Sequence, residues 1–264
     1  MRKTLREFDL FLLDMDGTIY LGEDLFPETP GFLKAIRDRG ARYLFLTNNS
    51  SKDKSAYARK LNRLGIRAGE EDVFSSGDAT AIVLKEKGYK KLYVMGTAPL
   101  KALFEREGFL LTEEDPDAVV LGFDTDLTYR RLLIAHDHIK NGVPWICTHP
   151  DLVCPVEGGK DIPDTGSMIR LLEASTGKSP DLIVGKPNRA IIDAVLNLTG
   201  EDRERTIMVG DRLYTDIAVG ERAGIASALV LTGETSLSDY ENQNEYRADF
   251  VYPSVGEMAK ELNA

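Results

Sequence analysis

Short apolar runs without polar alternation recur along the chain and are separated by amphipathic stretches. The runs at 10–13 and 43–46 indicate strands that are buried on both faces, as in a parallel sheet. Between and after them, apolar residues at helical spacing predict helices at 31–39 and 52–64, each followed by a glycine. Strand and helix therefore alternate, which predicts an α/β fold with right-handed crossovers between parallel strands.

The same alternation continues to the end of the chain. Further strands are predicted at 73–76, 92–95, 118–122, 144–148, 182–184, 206–209 and 228–231. Further helices are predicted at 79–87, 99–107, 129–140, 167–175, 189–198, 217–223 and 256–262. The segment 151–164 has no clear period and is predicted to be irregular.

The number of strands and the positions of polar motifs predict two domains. More than eight strands are many for one simple open sheet. Polar motifs at strand ends cluster near the two ends of the chain, at 14–18, 47–50 and 186–216. We therefore predict a Rossmann-like parallel-sheet core formed by 1–79 and 181–264, with an inserted α/β domain at 80–180. Ligands of open parallel sheets bind at the carboxyl ends of strands, where these motifs lie.

Two carboxylates, Asp14 and Asp16, directly follow the first predicted strand, and Gly17 ends it. In extended chain, residues two apart point the same way, so we expect both carboxylates to share one side. Like charges side by side raise the pKa of one carboxyl, and a cation relieves their repulsion. Oxygen ligands at the end of a parallel strand suit Mg²⁺. The alternative interpretation is a strand that ends in a solvated acidic turn.

A second motif, Thr47-Asn48-Asn49-Ser50, follows the second predicted strand and precedes a helix. Hydroxyls, side-chain amides and backbone N–H groups at a helix N-terminus form an anion site. The alternative is a simple helix cap by Ser50 or Ser51.

Two further motifs complete the set of candidate residues. Lys186 lies in a loop before a helix and is either a surface charge or the counter-charge of a phosphate site. Asp211 ends a buried strand, as Asp14 does, so the two carboxylates converge on one cation if the strands are neighbours. Asp216 follows shortly afterwards, and the alternative role of this segment is to cap the next helix.

Composition and charge exclude several classes of partner. The net charge is −10 and no basic block is present, which argues against a nucleic-acid duplex or an anionic membrane as a partner. The chain contains no 18-residue apolar stretch and no signal-peptide core, so we expect a cytoplasmic protein. Two cysteines do not make a disulfide framework. The sequence leaves the oligomeric state open, a homo-oligomer included.

Taken together, the motifs resemble those of a known family, the haloacid-dehalogenase-like phosphatases. The matching strings are Asp14-Met15-Asp16-Gly17-Thr18, Leu46-Thr47-Asn48-Asn49-Ser50, Lys186-Pro187 and Gly210-Asp211-x-x-x-Thr215-Asp216. Their order and spacing fit the whole chain. The long interval between Ser51 and Lys186 resembles the type-2 cap of the NagD-like branch. That branch includes p-nitrophenylphosphatases and relatives that act on pyridoxal phosphate, phosphoglycolate and nucleotides.

The resemblance implies a Mg²⁺-dependent phosphatase for small organic phosphate monoesters. Asp14 would attack phosphorus and form an aspartyl-phosphate, and Asp16 would act as general acid and then as general base. The metal would be held by the Asp14 carboxylate, the Asp16 backbone carbonyl and Asp211, with Asp216 in an outer position. Phosphoryl oxygens would be held by residues of the second motif and by the lysine, namely Thr47, Asn48, Asn49 and Lys186.

The resemblance is weakest in the inserted domain. Where the family often has an Asn two residues before an Asp, this chain reads Thr148-His149-Pro150-Asp151. We expect His149 and Asp151 to hydrogen-bond the substrate, the alternative being a solvated loop. Two other functions are considered: a phosphotransferase acting on a sugar or nucleoside hydroxyl, and a non-catalytic sensor of a phosphorylated ligand. The partner in each case is a small phosphorylated metabolite.

Overall fold

The structure, a computed structural model, describes residues 3–156 and 160–264. These residues form two compact units. The first contains the described residues up to Thr47, residues 57–74 and residues from Lys186 onward, and the second contains residues 48–56 and 75–185. The predicted boundaries at 79/80 and 180/181 each lie about five residues from those of the units, and residues 48–56, which were predicted in the core, belong to the second unit. That the units are a core domain and an inserted domain stays a prediction.

The first unit is built on a six-stranded sheet with the order β15-β14-β13-β1-β4-β5. These strands are β1 (Leu10–Leu13), β4 (Arg42–Thr47), β5 (Val73–Ser75), β13 (Thr206–Gly210), β14 (Ala226–Val230) and β15 (Phe250–Tyr252). β1 lies between β13 and β4, pairs in parallel with both, and is buried along its whole length. In the register, Leu13 is level with Val209 of β13 and Phe45 of β4. The carboxyl ends of these three strands therefore meet at one edge of the sheet.

Helices and a short hairpin complete the first unit. The helices are α1 (Thr29–Asp38), α2 (Lys54–Arg63, which crosses the boundary between the units), α7 (Ala190–Thr199), α8 (Ala218–Ala223), α9 (Leu237–Glu241) and α10 (Val255–Asn263). The hairpin pairs β2 (Tyr20–Leu21) with β3 (Asp24–Leu25). Inward-facing aromatic and aliphatic side chains of β1, α1 and α10 share one core, which includes Phe11, Phe32 and Met258.

The second unit is built on a five-stranded parallel sheet with the order β12-β9-β8-β6-β7. Its strands are β6 (Lys91–Met95), β7 (Leu110–Leu111), β8 (Ala118–Leu121), β9 (Trp145–Cys147) and β12 (Leu182–Ile183). Its helices are α3 (Ser76–Glu86), α4 (Ala98–Arg106), α5 (Tyr129–Lys140) and α6 (Thr165–Thr176). Trp145 and Leu172 are fully buried within this unit's own core.

The structure confirms the α/β fold with parallel sheets and corrects several elements. The segment 151–164 is not irregular, because β10 (Val153–Val156) and β11 (Lys160–Pro163) form an antiparallel hairpin; residues 157–159 of that segment lie outside the described chain. α3 begins earlier than predicted because Ser75 and Asp78 cap it reciprocally. The strand β15 and the helix α9 had not been predicted. Across residues 3–156 and 160–264, no helix has the length and apolar character needed to cross a membrane.

Candidate active site

The first candidate residues lie where β1 and β13 end side by side. Asp14 directly follows β1, and its backbone N–H donates to the carbonyl of Val209 at 2.9 Å. Asp211 directly follows β13, which pairs with β1 in parallel. The condition set by the sequence, that the two strands be neighbours, is therefore met.

Three carboxylates gather at this edge of the sheet, in what we call the acid cluster: Asp14, Asp211 and Asp216. Each offers a carboxylate oxygen, and these oxygens lie within 4.8 Å of one another. Asp211 and Asp216 are buried, and Asp14 is half-buried. Buried carboxylates this close repel one another and favour a cation among them. The acid cluster can therefore hold a metal ion through hard oxygen ligands.

Lys186 supplies a positive charge to the acid cluster. Its Nζ lies 2.6 Å from Oδ1 of Asp14 and 2.7 Å from Oδ1 of Asp216, and it also donates to the carbonyl of Leu46 at 3.4 Å. Only 2% of Lys186 is exposed. The sequence had left a surface charge as an alternative, and the structure excludes it, because this ammonium is buried and paired twice.

Burial and mutual repulsion shift the ionisation of the acid cluster. Burial raises the pKa of Asp14 to about 7; Lys186 opposes the rise, and the carboxylates of Asp216 and Asp211 add to it. Burial and the neighbouring Asp216 raise the pKa of Asp211 to about 6. Burial lowers the pKa of Lys186, but its two carboxylate partners outweigh that effect and raise the pKa above its ordinary value. The ammonium of Lys186 and the guanidinium of Arg212, which acts on all three carboxylates, do not offset the effect of burial on Asp14 and Asp211.

Asp16 differs from Asp14 in its surroundings. The strand ends at Leu13, and Asp16 lies in the turn that follows, with its side chain exposed. Gly17 permits that turn, because its φ of 89° belongs to the left-handed region. The pKa of Asp14 is raised by burial and by the charges of Asp216 and Asp211, so its repulsion comes from the strand beside it and not from the other acid of its own motif. The exposed carboxylate of Asp16 is free to face solvent and an incoming ligand.

The second motif is divided between the two units. Thr47 ends β4 in the first unit and is buried. Asn48 belongs to the second unit, where its Nδ2 donates to both carboxylate oxygens of Asp151 at 3.1 and 3.3 Å. Asn49 accepts from the backbone N–H of Ser51 at 2.9 Å.

Ser50 and Ser51 do not cap the helix that follows, as the alternative interpretation had it. α2 begins at Lys54, and the carboxylate of Asp53 accepts the N–H of Ala56 at 2.8 Å. The hydroxyl of Ser50 instead forms a hydrogen bond with Thr148 and accepts the N–H of Phe123.

His149 is fully buried within the second unit. Its Nε2 lies 2.9 Å from Oδ1 of Asp164, and its Nδ1 lies 2.8 Å from Oγ1 of Thr148. Burial lowers the pKa of this imidazole, but the hydrogen bond and charge of Asp164 and the charge of Asp151 outweigh burial, so the pKa is raised. With both ring nitrogens bonded inside the protein, the imidazole serves to hold its own loop. A direct contact with substrate stays a prediction.

Sequence reasoning missed a segment that follows β14. The hydroxyl of Thr232 donates to the carbonyl of Gly17 at 2.6 Å, and the N–H of Glu234 donates to Oδ2 of Asp211 at 2.7 Å. The feature that could have identified this segment is its position, because it follows β14, the strand next to β13 in the sheet. The order of strands in the sheet, which the sequence does not state, was needed to use it.

Comparison with known proteins places the chain in a family. A model described as haloacid dehalogenase-like hydrolase matches residues 11–110, and a second, HAD-hydrolase-like model matches residues 183–258. The 5′-nucleotidase YutF of Bacillus subtilis is 37% identical over 88% of this chain and 90% of its own length. The two family models match both parts of the chain, and the relative matches most of its length. Together they define the class of the protein, a haloacid dehalogenase-like hydrolase.

Solved structures identify the branch within that class. The crystal structure of 4-nitrophenylphosphatase from Thermotoga maritima has a TM-score of 0.92 and 46% identity, covering 97% of this chain and 98% of that one. A putative nagD protein has a TM-score of 0.90 and 44% identity, covering 98% and 99%. Glycerol phosphate phosphatase of Mycobacterium tuberculosis, solved with magnesium, has a TM-score of 0.87 and 29% identity, covering 99% and 79%. The chain belongs to the haloacid dehalogenase-like hydrolases, and within them to the NagD-like phosphatases.

Proposed function

We propose that this chain is a Mg²⁺-dependent phosphatase that hydrolyses small organic phosphate monoesters through an aspartyl-phosphate formed on Asp14. The observation that carries the proposal is the half-buried carboxylate of Asp14 at the end of β1, which lies 2.6 Å from the ammonium of Lys186 and beside the buried carboxylates of Asp211 and Asp216. A carboxylate nucleophile with a fixed cation and a metal site beside it is the arrangement that phosphoryl transfer requires.

The acid cluster fits a divalent metal ion. Asp14 and Asp211 would hold the ion, with the backbone carbonyl of Asp16, and Asp216 would orient Lys186 and any metal-bound water. Burial is the largest cause of the raised pKa values of Asp14 and Asp211, and the charge of Asp216 adds to both, so a bound cation would favour their ionised forms. When bound, the ion neutralises negative charge on the phosphate ester and on the developing transition state. The M. tuberculosis relative with magnesium supports Mg²⁺ as the ion.

The residues of the chain then divide the chemistry between two steps. In the first, Asp14 attacks phosphorus, the bond to the leaving oxygen breaks, and Asp16 gives that oxygen a proton. In the second, Asp16 takes a proton from water, which attacks the aspartyl-phosphate and releases inorganic phosphate and the free carboxylate of Asp14. Lys186 balances charge on the phosphoryl oxygens in both steps, and the hydroxyl of Thr47 is proposed to donate to one of them.

The substrate is proposed only as a class. The named relatives act on different compounds, a nucleotidase and a glycerol phosphate phosphatase among them, so no single ester carries over to this chain. What they share is a phosphate monoester of a small organic alcohol. The proposed location in the cytoplasm rests on the sequence alone and stays a prediction.

The test is release of inorganic phosphate from a panel of phosphate esters, with p-nitrophenyl phosphate as reference. Activity should require Mg²⁺ and disappear with a chelator. Asp14→Asn should lower turnover at least about a thousandfold, because an amide cannot form the acyl-phosphate. Asp24→Asn, an exposed change in the same unit, serves as the control and should leave the rate unchanged. A chelator-treated enzyme with full activity, or an active Asp14→Asn, would overturn the proposal.

The role of Asp16 has its own test, which uses leaving groups of different acidity. Asp16→Asn should reduce single-turnover phosphoryl transfer more from an alkyl phosphate than from p-nitrophenyl phosphate, since only the alkoxide needs a proton to leave. Equal losses on both esters would remove Asp16 from the role of general acid.

A further inference from the structure

The segment Thr232–Glu234, which follows β14, packs directly against Asp211. The N–H of Glu234 donates to Oδ2 of Asp211 at 2.7 Å, and the hydroxyl of Thr232 donates to the carbonyl of Gly17 at 2.6 Å. The hydroxyl of Thr18 lies 3.4 Å from the other oxygen, Oδ1, of Asp211. The segment thereby ties the turn after β1 to the carboxylate after β13.

Gly233, the middle residue of the segment, has no room for a side chain. A Cβ built on it would lie 2.0 Å from Oδ2 of Asp211 and 2.7 Å from the Cα of Gly17. Its backbone φ lies outside the left-handed region, so any L-residue could adopt that backbone. The close approach to Asp211 is therefore the reason for glycine at this position, in contrast to Gly17, whose φ of 89° also favours glycine.

The side chain of Glu234 fastens the far end of the segment. Its Oε2 lies 3.0 Å from Nε of Arg212 and 3.2 Å from the hydroxyl of Tyr214. Both partners come from the segment that begins with Asp211 and continues into the helical turn Leu213–Ile217, so Glu234 holds that segment through its backbone and through its side chain. Asp211 is 1% exposed, and its carboxylate has little freedom to turn.

We propose that Thr232–Glu234 is a positioning segment that fixes the orientation of the Asp211 carboxylate, with Gly233 as the residue that permits the contact. The proposal rests on the proposed role of Asp211 as a metal ligand. An oxygen held by a backbone N–H leaves the other oxygen of the carboxylate aimed in one direction, which lowers the entropy lost when a cation binds. The segment touches no reacting atom and acts through Asp211 and through the turn at Gly17, which it ties together.

The test is the affinity of the protein for Mg²⁺ alone, measured by calorimetric titration of the metal-free protein. In Gly233→Ala the new methyl group displaces the carboxylate, so the dissociation constant for Mg²⁺ should rise about tenfold or more. Gly31→Ala is the matched control, because Gly31 belongs to α1 and has no atom within 4 Å of a built Cβ. The control should bind Mg²⁺ as the wild type does, and both variants should keep the metal-free circular dichroism spectrum.

Three outcomes separate this inference from the proposed function. If Asp211→Asn binds Mg²⁺ as tightly as wild type, the metal site itself is wrong. If Asp211→Asn loses binding but Gly233→Ala keeps wild-type affinity, the positioning segment is wrong. If Gly233→Ala does not fold, Thr232→Val decides, because it removes only the hydroxyl that bonds the Gly17 carbonyl. If Thr232→Val binds Mg²⁺ at least threefold more weakly than the wild type, the proposal is supported. If Thr232→Val binds Mg²⁺ with wild-type affinity, the proposal is overturned.

Discussion

Each unit of this protein buries a group of charged side chains beside the carboxyl ends of parallel strands, and the two groups balance their charges differently. In the first unit, the ammonium of Lys186 pairs with Asp14 and Asp216 of the acid cluster, and the guanidinium of Arg212 acts on all three carboxylates. In the second unit, Asp164 has the imidazole of His149 as its own partner and also accepts from the N–H and hydroxyl of Thr165. The acid cluster therefore contains more carboxylates than cations, whereas His149 and Asp164 are paired one to one.

The pKa shifts reflect that difference. In the acid cluster, burial raises the pKa values of Asp14 and Asp211 towards neutrality, so negative charge there is costly without a cation. In the second unit, the raised pKa belongs to His149, whose protonated form is stabilised by Asp164 despite burial. A buried ionic group with unbalanced charge is a candidate for ligand binding, and a balanced one is a candidate for holding a loop in place.

The largest expected effect comes from removing the ammonium of Lys186, which pairs with two carboxylates of the acid cluster. Lys186→Met leaves the carboxylates of Asp14 and Asp216 without the ammonium with which they are paired, so the metal-free protein should lose roughly 3–5 kcal/mol of unfolding free energy. Mg²⁺ should recover part of that loss, because it binds the folded state and supplies positive charge to the same carboxylates. Urea unfolding with and without Mg²⁺ measures both effects.

The control for this change is a lysine whose partner is in solvent. Lys34→Met removes an exposed pair with Asp38, four residues away on α1, and should change stability by less than about 0.5 kcal/mol. A loss in Lys186→Met no larger than this, or one that Mg²⁺ deepens, would mean that the acid cluster is not short of positive charge.

Part of this picture was predictable from local sequence. The buried strand before Asp14 and the whole of α5 were predicted correctly. Unbroken apolar runs are strong signals, and so is a helical spacing of apolar residues that continues over 12 residues. The hairpin of β10 and β11 was missed, since Pro155 and Pro163 lie within strands whose residues are largely exposed. β15 has only three residues, of which one is buried.

The site was predictable as a set of residues but not as an arrangement. That β1 and β13 are neighbours depends on the order of strands, which is a tertiary property. The burial of His149, the bond between Asn48 and Asp151, and the contact of Gly233 with Asp211 depend on packing between segments far apart in sequence. No local pattern encodes these distances, so the sequence alone could suggest the residues and not their partners.

A smaller effect is expected in the second unit, where His149→Gln removes the charge of the imidazole but keeps a polar side chain of similar reach. The free energy of unfolding should fall by about 1–3 kcal/mol near pH 6, because Asp164 stays buried without its cation. In the wild type, the pKa of His149 is raised above its ordinary 6.5 on folding. The stability that the protonated imidazole of His149 gives the folded state is therefore complete below pH 6.5. It disappears as the pH rises through the pKa of His149 in the folded protein.

The pH dependence gives this prediction its control. Unfolding free energies of wild type and His149→Gln should converge as the pH rises above the folded pKa of His149, and His136→Gln should follow the wild-type curve throughout. A difference between wild type and His149→Gln that does not change with pH would show that the imidazole acts by shape and not by charge.

The smallest expected effect concerns Asp151, which lies beside the pair of His149 and Asp164 but is half-buried and bonded to the amide of Asn48. If Asp151 contributes to substrate choice, Asp151→Ala should change kcat/KM several-fold among natural phosphate esters and leave p-nitrophenyl phosphate turnover near wild type. Asp161→Ala, an exposed change in β11, is the control.

Asp151→Asn separates charge from placement, because its side-chain oxygen still accepts the bond from Asn48. If the charge of Asp151 selects the substrate, Asp151→Asn and Asp151→Ala should change the substrate preference to the same extent. If the hydrogen bond to Asn48 determines the preference, Asp151→Asn should keep the wild-type preference and Asp151→Ala should lose it. Parallel losses on every ester would instead assign Asp151 to the chemistry or to the fold, and no change on any ester would make it an ordinary surface residue.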